Sequence, residues 1–395
     1  MRRRPQEGNK QAISFAKPLS TQVGEMGLVL SGGGSRAAYQ VGALRALVPY
    51  LKESPHPISV VIGSSIGAIN GLVLSACLKR GLDESVEQLE SLWRERTFNN
   101  SFAGSASRAF FRAIKVAAMQ YAAPGPHGTS SAIFDPTPLM NRLDQVIADH
   151  GGLAPENRLA SLAHVAVMTT IEGRERKPLL FLSTHKHLES EYLQGASFEV
   201  CYVNEMTAKH GFASAALPSV LPPVELDTEG GRVRLVDGGI SQNIPVDPAV
   251  RLGARRVIVF DVSGRDYWLR RYNESLDTRP TWEVAAALET FCLRPPDTFV
   301  SRCREPLGPL LRQVVKHSTK RFIHAVGAVW PLFTLLRRKL GEDVAYEVMS
   351  YVALDPEYSQ ALMERGYNET HSLLRNKAQL EFEPNESFAK LVKNV

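Results

Sequence analysis

The stretch that decides the fold is Ile58-Ser59-Val60-Val61-Ile62-Gly63-Ser64-Ser65-Ile66-Gly67, followed at once by Ala68-Ile69-Asn70-Gly71-Leu72-Val73-Leu74. Its first five residues predict a buried strand, and the second run predicts a helix. Between them, Gly63 and Gly67 allow a sharp turn and leave room around Ser65. The serine would then stand at a helix N-terminus, where unpaired N–H groups and the helix dipole stabilise negative charge. This is the arrangement of a nucleophile elbow, with Ser65 as the candidate nucleophile.

The pentapeptide alone also fits an ordinary corner between a strand and a helix, so the neighbouring segments matter. Upstream, Met26-Gly27-Leu28-Val29-Leu30 predicts a short buried strand, and Ser31-Gly32-Gly33-Gly34-Ser35-Arg36 follows it directly. A helix is predicted next, because the apolar positions that follow are spaced for one face (Val41, Leu44, Leu47, Val48 and Leu51). Consecutive glycines can point several backbone N–H groups into one anion-binding concavity. In acyl transfer, losing one such donor to a developing oxyanion typically costs about 3 kcal/mol.

The glycine loop has a rival interpretation as a dinucleotide-binding turn, because Gly32-x-Gly34-x-x-Ala37 fits the looser form of that fingerprint. The fingerprint also requires an acidic residue about 20 residues on, at the end of the next strand. Glu53 has roughly that spacing but precedes the next strand. A Walker loop is excluded, because no Lys-Ser or Lys-Thr pair closes the glycines. Dinucleotide binding therefore stays the weaker alternative.

A third segment supplies a carboxylate. Arg232-Val233-Arg234-Leu235-Val236 alternates like a strand and leads into Asp237-Gly238-Gly239. An isolated Asp-Gly pair is most often an ordinary turn. A solvated aspartate, with a pKa of about 3.9, is also a poor base for an alcohol. Asp237 could act as a base only if its pocket raises that pKa and holds the carboxylate against the serine hydroxyl.

These three segments, in this order, resemble the patatin-like phospholipase family. Two further stretches are similar to the same family: 213–224, which precedes the aspartate strand, and 243–261, which runs from Asn243-Ile244-Pro245-Val246 into the strand Val257-Ile258-Val259-Phe260-Asp261. The resemblance covers roughly Met26 to Ser263. One departure is Ala37, where the family usually carries glycine after the arginine.

The resemblance implies an α/β fold of three layers around a mainly parallel central sheet, with a helical extension at the C-terminus. It also implies a serine acyl hydrolase with a catalytic Ser–Asp dyad. Ser65 would attack a lipid acyl ester, Asp237 would accept its proton, and the N–H groups of Gly32, Gly33 and Gly34 would hold the oxyanion. Arg36 would be structural or would hold the glycine loop, and the glycines that flank the dyad would support it (Gly63, Gly67, Gly238 and Gly239). No cofactor and no metal are implied.

Two alternatives remain open. An α/β-hydrolase triad would need a histidine after Asp237, and the candidates are His317, His324 and His371. None of the three has a glycine-flanked position at a strand end, and Ser31 stands where lipases often carry histidine before the glycines. The second alternative is a catalytically silent protein that uses the same fold to bind lipid or a partner. The presence of all three chemical segments argues against it.

Composition is typical of a globular protein, with 44% hydrophobic and 22% charged residues among 395. The four scattered cysteines show no metal spacing: Cys77 and Cys201 are predicted to be buried thiols, and a bridge between Cys292 and Cys303 is not required. Basic residues are dispersed, which argues against nucleic-acid binding. No secretory signal is recognisable, so we expect a cytoplasmic protein, either free or peripheral at a membrane.

Three regions are predicted: a flexible basic tail (1–25), a catalytic domain (26–265) and a mostly helical C-terminal region packed on it (266–395). Between Ser65 and Asp237, helices are predicted at 83–96, 108–121 and 135–147 and strands at 164–171 and 178–183. The apolar side of 110–117 would line the acyl pocket or pack in the core, and 124–128 is predicted to be a loop. After 280, a further helical pattern begins.

The segment from Phe322 to Leu336 carries no formal charge and is bracketed by basic residues, Lys316, Lys320 and Arg321 before it and Arg337, Arg338 and Lys339 after it. As one helix it would reach about 22 Å, short of the ~30 Å hydrocarbon core of a bilayer. Pro331 weakens it further as a spanning helix. Two interpretations stay open: a core or homodimer-interface helix, slightly preferred, or a segment that enters the membrane surface.

Overall fold

The computed structural model describes residues 25–104, 132–173, 175–185, 193, 196–264, 297–316, 318–375 and 377–382. Several predicted features lie outside these residues: nearly all of the N-terminal tail, the helix 108–121 with its apolar side 110–117, the loop 124–128, Cys292, His317 and the beginning of the helical pattern after 280.

The described strands form one mixed sheet of nine. They are β1 (Met26–Leu30), β2 (Ile58–Ser64), β3 (His164–Ile171), β4 (Pro178–Thr184), β5 (Glu199–Tyr202), β6 (Val224–Thr228), β7 (Gly231–Val236), β8 (Arg256–Asp261) and β9 (Asp297–Arg302). The main path runs β5-β4-β3-β2-β1-β8-β9, while β7 pairs with β3 and β6. Pairing is parallel except between β3 and β4, β3 and β7, and β6 and β7.

Helices cover both faces of the sheet. Those described are α1 (Ala38–Glu53), α2 (Ile66–Cys77), α3 (Leu82–Arg94), α4 (Phe98–Ser101), α5 (Thr137–Asp149), α6 (Ala208–Ala215), α7 (Val246–Arg251), α8 (Gly308–Val315), α9 (Thr319–Val326), α10 (Trp330–Leu340), α11 (Glu342–Met349) and α12 (Pro356–Leu374). Because side chains alternate along a strand, Leu28 and Leu30 of β1 enter the larger core with α1 and α2, whereas Val29 enters the core with α7. The fold is therefore α/β with three layers, as predicted.

The predicted elements around the glycine loop, the elbow and Asp237 are confirmed with shifts of a few residues. The strands before the glycine loop and before Ser65 are fully buried, which explains why both are almost entirely apolar, with Ser59 as the polar exception within 26–30 and 58–62. The helices predicted at 83–96 and 135–147 are α3 and α5, and the strands predicted at 164–171 and 178–183 are β3 and β4. Cys77 and Cys201 are buried free thiols, as expected.

The C-terminal part also contributes a strand that the sequence pattern did not reveal. Strand β9 pairs in parallel with β8 at the edge of the main sheet. Four of its six residues are polar (Asp297-Thr298-Phe299-Val300-Ser301-Arg302), and two of these, Thr298 and Ser301, are buried; the Ser301 hydroxyl shares a hydrogen bond with Thr370 (2.7 Å). The helix α12 in turn packs extensively on α1. The division of the chain at 265/266 remains a prediction.

The uncharged segment from Phe322 to Leu336 is not one helix. It is split between α9 and α10 at Gly327, whose φ of 55° breaks the helical path. One side of the segment is core: the Phe322 and Phe333 rings pack on each other (centroids 4.5 Å apart) and on Tyr346. The other side leaves large apolar side chains exposed, including Trp330 and Leu335. Among the described helices, none combines the length and apolar character needed to cross a bilayer.

Candidate active site

Ser65 occupies a strained turn between β2 and α2. Its φ of 52° and ψ of −132° lie in a region that non-glycine residues rarely adopt. Such strain is found where the surrounding structure holds a residue for a function. Gly63 and Gly67 flank the turn, and a Cβ added at Gly67 would lie only 2.5 Å from the carbonyl oxygen of Ser31. The absence of a side chain at Gly67 therefore lets the elbow pack directly against the start of the glycine loop.

The structure brings Ser65 and Asp237 together although they are far apart in the chain. The Ser65 hydroxyl donates a hydrogen bond of 2.6 Å to Oδ2 of Asp237. The other carboxylate oxygen, Oδ1, accepts a hydrogen bond from the backbone N–H of Gly239 (2.7 Å). These two hydrogen bonds together fix the orientation of the carboxylate. The backbone of Asp237 is held as well, because Thr170 on β3 donates its hydroxyl to the Asp237 carbonyl (2.8 Å).

Burial makes the Asp237 carboxylate more basic than a solvated aspartate, as a base for the serine hydroxyl needs to be. The side chain is almost fully buried, and this burial raises its pKa from 3.8 to about 6, against the opposing effect of the hydrogen bonds from Ser65 and Gly239. A carboxylate with this pKa is still ionised at neutral pH, yet it accepts a proton more readily than a solvated aspartate. Its position and its pKa both suit a general base for the serine hydroxyl.

The glycine loop contributes fewer free donors than predicted. The N–H of Gly32 already donates to the carbonyl oxygen of Asn243 (3.2 Å), and the Asn243 side chain donates back to the Gly32 carbonyl (3.3 Å). In this structure the Gly32 N–H is thus engaged and ties the loop to the chain after Asp237, while its role as an oxyanion donor stays a prediction. Within the described residues, no acceptor is recorded for the N–H groups of Gly33 and Gly34, both of which are partly exposed and line the cavity beside Ser65.

Arg36 holds the glycine loop to the C-terminal helices and does not face the cavity. Its guanidinium is buried and donates to the Ser350 hydroxyl (2.8 Å) and to both the carbonyl (2.9 Å) and carboxylate (2.6 Å) oxygens of Glu347 on α11. It also lies over the Tyr351 ring, 3.4 Å from the centroid. The N–H of Ser35 donates to the Tyr351 carbonyl (2.8 Å). Arg36 was considered either as a structural residue or as one that holds the glycine loop. These contacts favour the second role.

Ser214 is a site residue that the motif analysis missed. Its hydroxyl accepts the backbone N–H of Ser65 (2.7 Å) and donates to the carbonyl of Met168 on β3 (2.5 Å). This bridge fixes the strained elbow from the side opposite the glycine loop. The only signal in the sequence was the family-like stretch 213–224. Glu347 carried no signal at all, because its pairing with Arg36 spans most of the chain.

A cavity of about 410 Å³ opens beside the dyad. Ser65, Asp237 and the glycine loop form one end of it. The remaining wall is mostly apolar and includes Ile66, Ile69, Phe98, Phe102, Phe134, Leu139, Phe212, Leu217, Val220, Leu221, Val352 and Leu354. A volume in this range suits a small organic ligand or part of a lipid chain.

The histidine and nucleotide alternatives find no support at this site. Neither His324, which is exposed on α9, nor His371, which stacks on Tyr367 of α12, lines the cavity. In the part of the chain that the structure describes, the cavity wall contains no histidine. Glu53 ends α1 just before β2 begins, so it lies at the sheet edge opposite the glycine loop and cannot reach a ribose bound there.

Comparison with known proteins agrees with this geometry. A family model described as patatin-like phospholipase matches residues 28–250. The chain is 27% identical over 250 residues to patatin-like phospholipase domain-containing protein 7 of Rattus norvegicus, and 28% identical over 270 residues to a patatin-like phospholipase domain-containing protein of Caenorhabditis elegans. These stretches cover 63% and 67% of this chain but only 14% and 15% of the two relatives, so the chain spans a small part of each.

The solved structures to which the chain is similar include VipD from Legionella pneumophila (14% identity, TM-score 0.33) and human GIVD cytosolic phospholipase A2 (11% identity, TM-score 0.36). Each alignment covers 89% of this chain, with 67% and 60% of the respective neighbour. The family assignment depends on the family model, which matches more than half of the chain and includes the glycine loop, the elbow and Asp237. The chain belongs to the patatin-like phospholipase family.

Proposed function

We propose that this protein is a serine hydrolase of lipid acyl esters that uses Ser65 as nucleophile and Asp237 as the only general acid–base. The observation that carries the proposal is the 2.6 Å hydrogen bond from the Ser65 hydroxyl to a buried carboxylate at the end of an apolar cavity. Membership of the patatin-like phospholipase family supports a lipid ester as substrate. Phospholipids and lysophospholipids are the proposed substrates.

In the first half-reaction, Oγ of Ser65 attacks the carbonyl carbon of the acyl ester while its proton moves to Oδ2 of Asp237. The tetrahedral intermediate collapses when the ester oxygen leaves with that proton as an alcohol. The fatty-acyl group is then covalently bound to Ser65. In the second half-reaction, Asp237 takes a proton from water, the resulting hydroxyl attacks the acyl carbon, and Ser65 recovers its proton as the fatty acid departs.

Charge develops on the carbonyl oxygen in both steps. The backbone N–H groups of Gly33 and Gly34 are the proposed donors to this oxygen, since the Gly32 N–H is engaged by Asn243. The bonds that hold Arg36 and Ser35 to α11 and Tyr351 keep these donors in position before the substrate arrives. A preorganised donor lowers the barrier because no reorganisation is needed when the charge forms.

The apolar wall of the cavity is the proposed site of the fatty-acyl chain. Phe98, Phe102 and Phe134 form a cluster there, with ring centroids 4.7 to 5.4 Å apart. Burial of methylene groups against such rings favours binding by about 0.8 kcal/mol for each fully buried CH₂. We therefore expect the enzyme to prefer esters of medium or long acyl chains over acetate esters.

The test of this proposal is fatty-acid release from a panel of acyl esters by wild type, Ser65→Ala and Asp237→Asn. We expect release by wild type, and loss of several orders of magnitude in both variants. Ser372→Ala is the matched control, because it removes an exposed hydroxyl far from the site in sequence and should leave the rate unchanged. A fluorophosphonate probe should label wild type and the control but not Ser65→Ala. Folded wild type that neither labels nor releases fatty acid would favour the silent lipid-binding alternative.

The exposed side of α9 and α10 is proposed to contact the membrane that holds the substrate. Its large apolar side chains, among them Trp330 (42% exposed) and Leu335 (49%), are flanked in the sequence by the exposed cations Lys320, Arg337 and Arg338. Apolar groups flanked by basic residues suit the interface of an anionic bilayer. The segment adjoins the cavity, because Ala325 accepts a hydrogen bond from Leu354 (2.7 Å) and Gly327 lies against Phe98, and both partners line the cavity wall.

Flotation with anionic and with zwitterionic vesicles tests this surface. Deleting the whole segment would remove the buried Phe322 and Phe333, so we choose Trp330→Ser combined with Leu335→Ser, which alters exposed atoms. We expect the double variant to lose binding to anionic vesicles and wild type to bind them. Tyr202→Ser removes an equally exposed ring (47%) on β5 and should float normally. Unchanged flotation of the folded double variant would show that this surface does not bind the membrane. It would favour a contact between two copies of the chain, and analytical sedimentation would detect that homodimer.

A further inference from the structure

One arginine in the cavity wall has no role in the proposed dyad. Arg96 follows α3 and precedes α4, and it lines the same cavity as Ser65 and Asp237. Its side chain is only 8% exposed. Among the described residues that line the cavity, Arg96 is the only cation, and Asp237 is the only carboxylate.

The Arg96 guanidinium has no anionic partner within the described residues. No hydrogen bond from it to a protein acceptor is recorded, and its buried Nε atom is unsatisfied. Its one recorded contact is with Trp93, over whose ring it lies at 4.4 Å. The indole is itself fixed, since its N–H donates to the side-chain oxygen of Asn70 (3.1 Å). Trp93 therefore forms a rigid support on one side of the guanidinium.

The other buried arginines of the described residues differ in their pairing: Arg158 donates to the Ser183 carbonyl (3.2 Å) and leaves its Nε and Nη2 atoms unsatisfied, whereas the other two form ion pairs. Arg36 is paired with Glu347, and Arg251 with Asp247. Arg96 does not serve Asp237 either, because both oxygens of that carboxylate are engaged by Ser65 and Gly239. A buried charge without a partner is costly, and such groups are normally paired or bind a charged ligand.

The guanidinium remains charged at neutral pH. Burial lowers the pKa of Arg96 to about 10, and no neighbouring carboxylate contributes to raise it. The cavity therefore holds a permanent positive charge among aromatic and aliphatic side chains. Its unused N–H groups form a planar fork that matches two oxygens of a phosphate.

We propose that Arg96 is a specificity-determining residue that binds the phosphodiester of the acyl-ester substrate inside the cavity. This inference rests on the proposed function and adds a preference within it. A phospholipid brings an anionic oxygen pair that satisfies the guanidinium, whereas a diacylglycerol with the same acyl chains leaves it unpaired. The site thus selects phospholipids over neutral glycerides.

The test compares two substrates that differ only in the headgroup. Phosphatidylcholine and diacylglycerol with identical acyl chains are presented in neutral mixed micelles, so that attraction to an anionic surface plays no part. For Arg96→Gln we expect kcat/KM on phosphatidylcholine to fall roughly tenfold to a hundredfold, as for loss of a hydrogen bond to a charged group. Hydrolysis of diacylglycerol should stay the same or rise. Arg96→Lys keeps the positive charge but lacks the planar pair of N–H donors. It should therefore retain part of the preference for phosphatidylcholine over diacylglycerol.

Arg94→Gln is the matched control. It removes the same charge two residues earlier, from an exposed side chain that pairs with Glu90 and does not line the cavity. We expect this variant to keep the wild-type ratio of the two rates. Thermal unfolding of each variant establishes that it is folded before the rates are compared, and if Arg96→Gln is unfolded, Arg96→Lys alone still tests the ratio.

An unchanged ratio of the two rates in folded Arg96 variants would overturn the inference. If both rates also fall equally, Arg96 has a packing role. Relief of inhibition by added oleate, without a change in the ratio, would show that the guanidinium binds the fatty-acid carboxylate instead. Failure of the proposed function is distinguishable, because wild type would then release fatty acid from neither substrate.

Discussion

Asp237→Asn should stabilise the fold progressively as pH rises, although it removes the general base. The carboxyl group is buried, and its pKa in the folded protein is about 6 instead of 3.8. Because the folded pKa is the higher one, the group's contribution to stability is fully present below the unfolded pKa. It is lost as pH rises through the folded pKa of about 6. Asparagine does not ionise and escapes this loss.

The size of the effect follows from the two pKa values. Their difference corresponds to about 3 kcal/mol of destabilisation at pH values well above 6. Roughly half of it has already developed at about pH 5, because the unfolded carboxyl group is ionised there while the folded one is still largely protonated. Between about pH 5 and about pH 8, the stability of the variant relative to wild type should therefore increase by about 1.4 kcal/mol.

Urea unfolding of wild type and Asp237→Asn at these two pH values measures the effect. The change in the hydrogen bond to Ser65 does not depend on pH to first order, so the difference between the two conditions isolates ionisation. Asp227→Asn is the control, because this exposed carboxylate beside Arg232 has a lowered pKa and is ionised in both states over the range used. A difference between Asp237→Asn and wild type that stays constant, or that falls with pH, would refute the buried-base reasoning.

Three further results are expected. With a neutral ester as substrate, kcat/KM should fall about tenfold for each pH unit below about 6, because protonated Asp237 cannot accept the serine proton. Glu347→Gln should lower kcat more than it changes KM and should cost about 3 to 5 kcal/mol of stability, because it leaves the buried Arg36 without its counter-ion. Gly34→Ala should lower kcat roughly a hundredfold, because a Cβ at this φ of 58° would overlap the carbonyl oxygen of Tyr351 and displace an oxyanion donor.

Matched controls separate these effects from general destabilisation. Glu342→Gln changes an exposed glutamate at the start of the same helix α11 and should leave both kcat and stability nearly unchanged. Gly341→Ala introduces a side chain at a φ of 95° with no atom within 4 Å, so it imposes backbone strain without displacing the loop. A pH profile that stays flat below about pH 5, or kcat values that fall equally in test and control variants, would contradict the assigned roles.

Much of the fold around the site could be predicted because the information is local. A buried parallel strand is largely apolar, so 26–30 and 58–62 stand out without any knowledge of their neighbours. The C-terminal strand β9 lacked this property: its sequence is mostly polar, and it joins the sheet through partners that β8 and α12 supply. The break at Gly327 was missed for a similar reason, since glycine is tolerated within helices and the positive φ depends on packing against Phe98.

The residues of the candidate site also divide into those that local motifs predict and those that only the tertiary structure reveals. Ser65, Asp237 and the glycine loop lie at strand ends within recognisable motifs, so the sequence could nominate them before any distance was known. It could not tell that the Gly32 N–H is engaged by Asn243, because that depends on how two loops meet. Ser214, although it lies in a family-like stretch, became a site residue only through its bond to the Ser65 N–H.

By itself, the sequence nominated Ser65 as nucleophile and Asp237 as its carboxylate, because strand–turn–helix signals and glycine spacing act over a few residues, and the three-layer α/β fold followed from the family resemblance that these motifs carry. Only the tertiary structure decided what surrounds them: the burial that raises the pKa of Asp237, the pairing of Arg36 with Glu347, and the isolation of Arg96 in the cavity wall. Burial, pKa and charge compensation are set by groups distant in the chain, and no local pattern of residues encodes those distances.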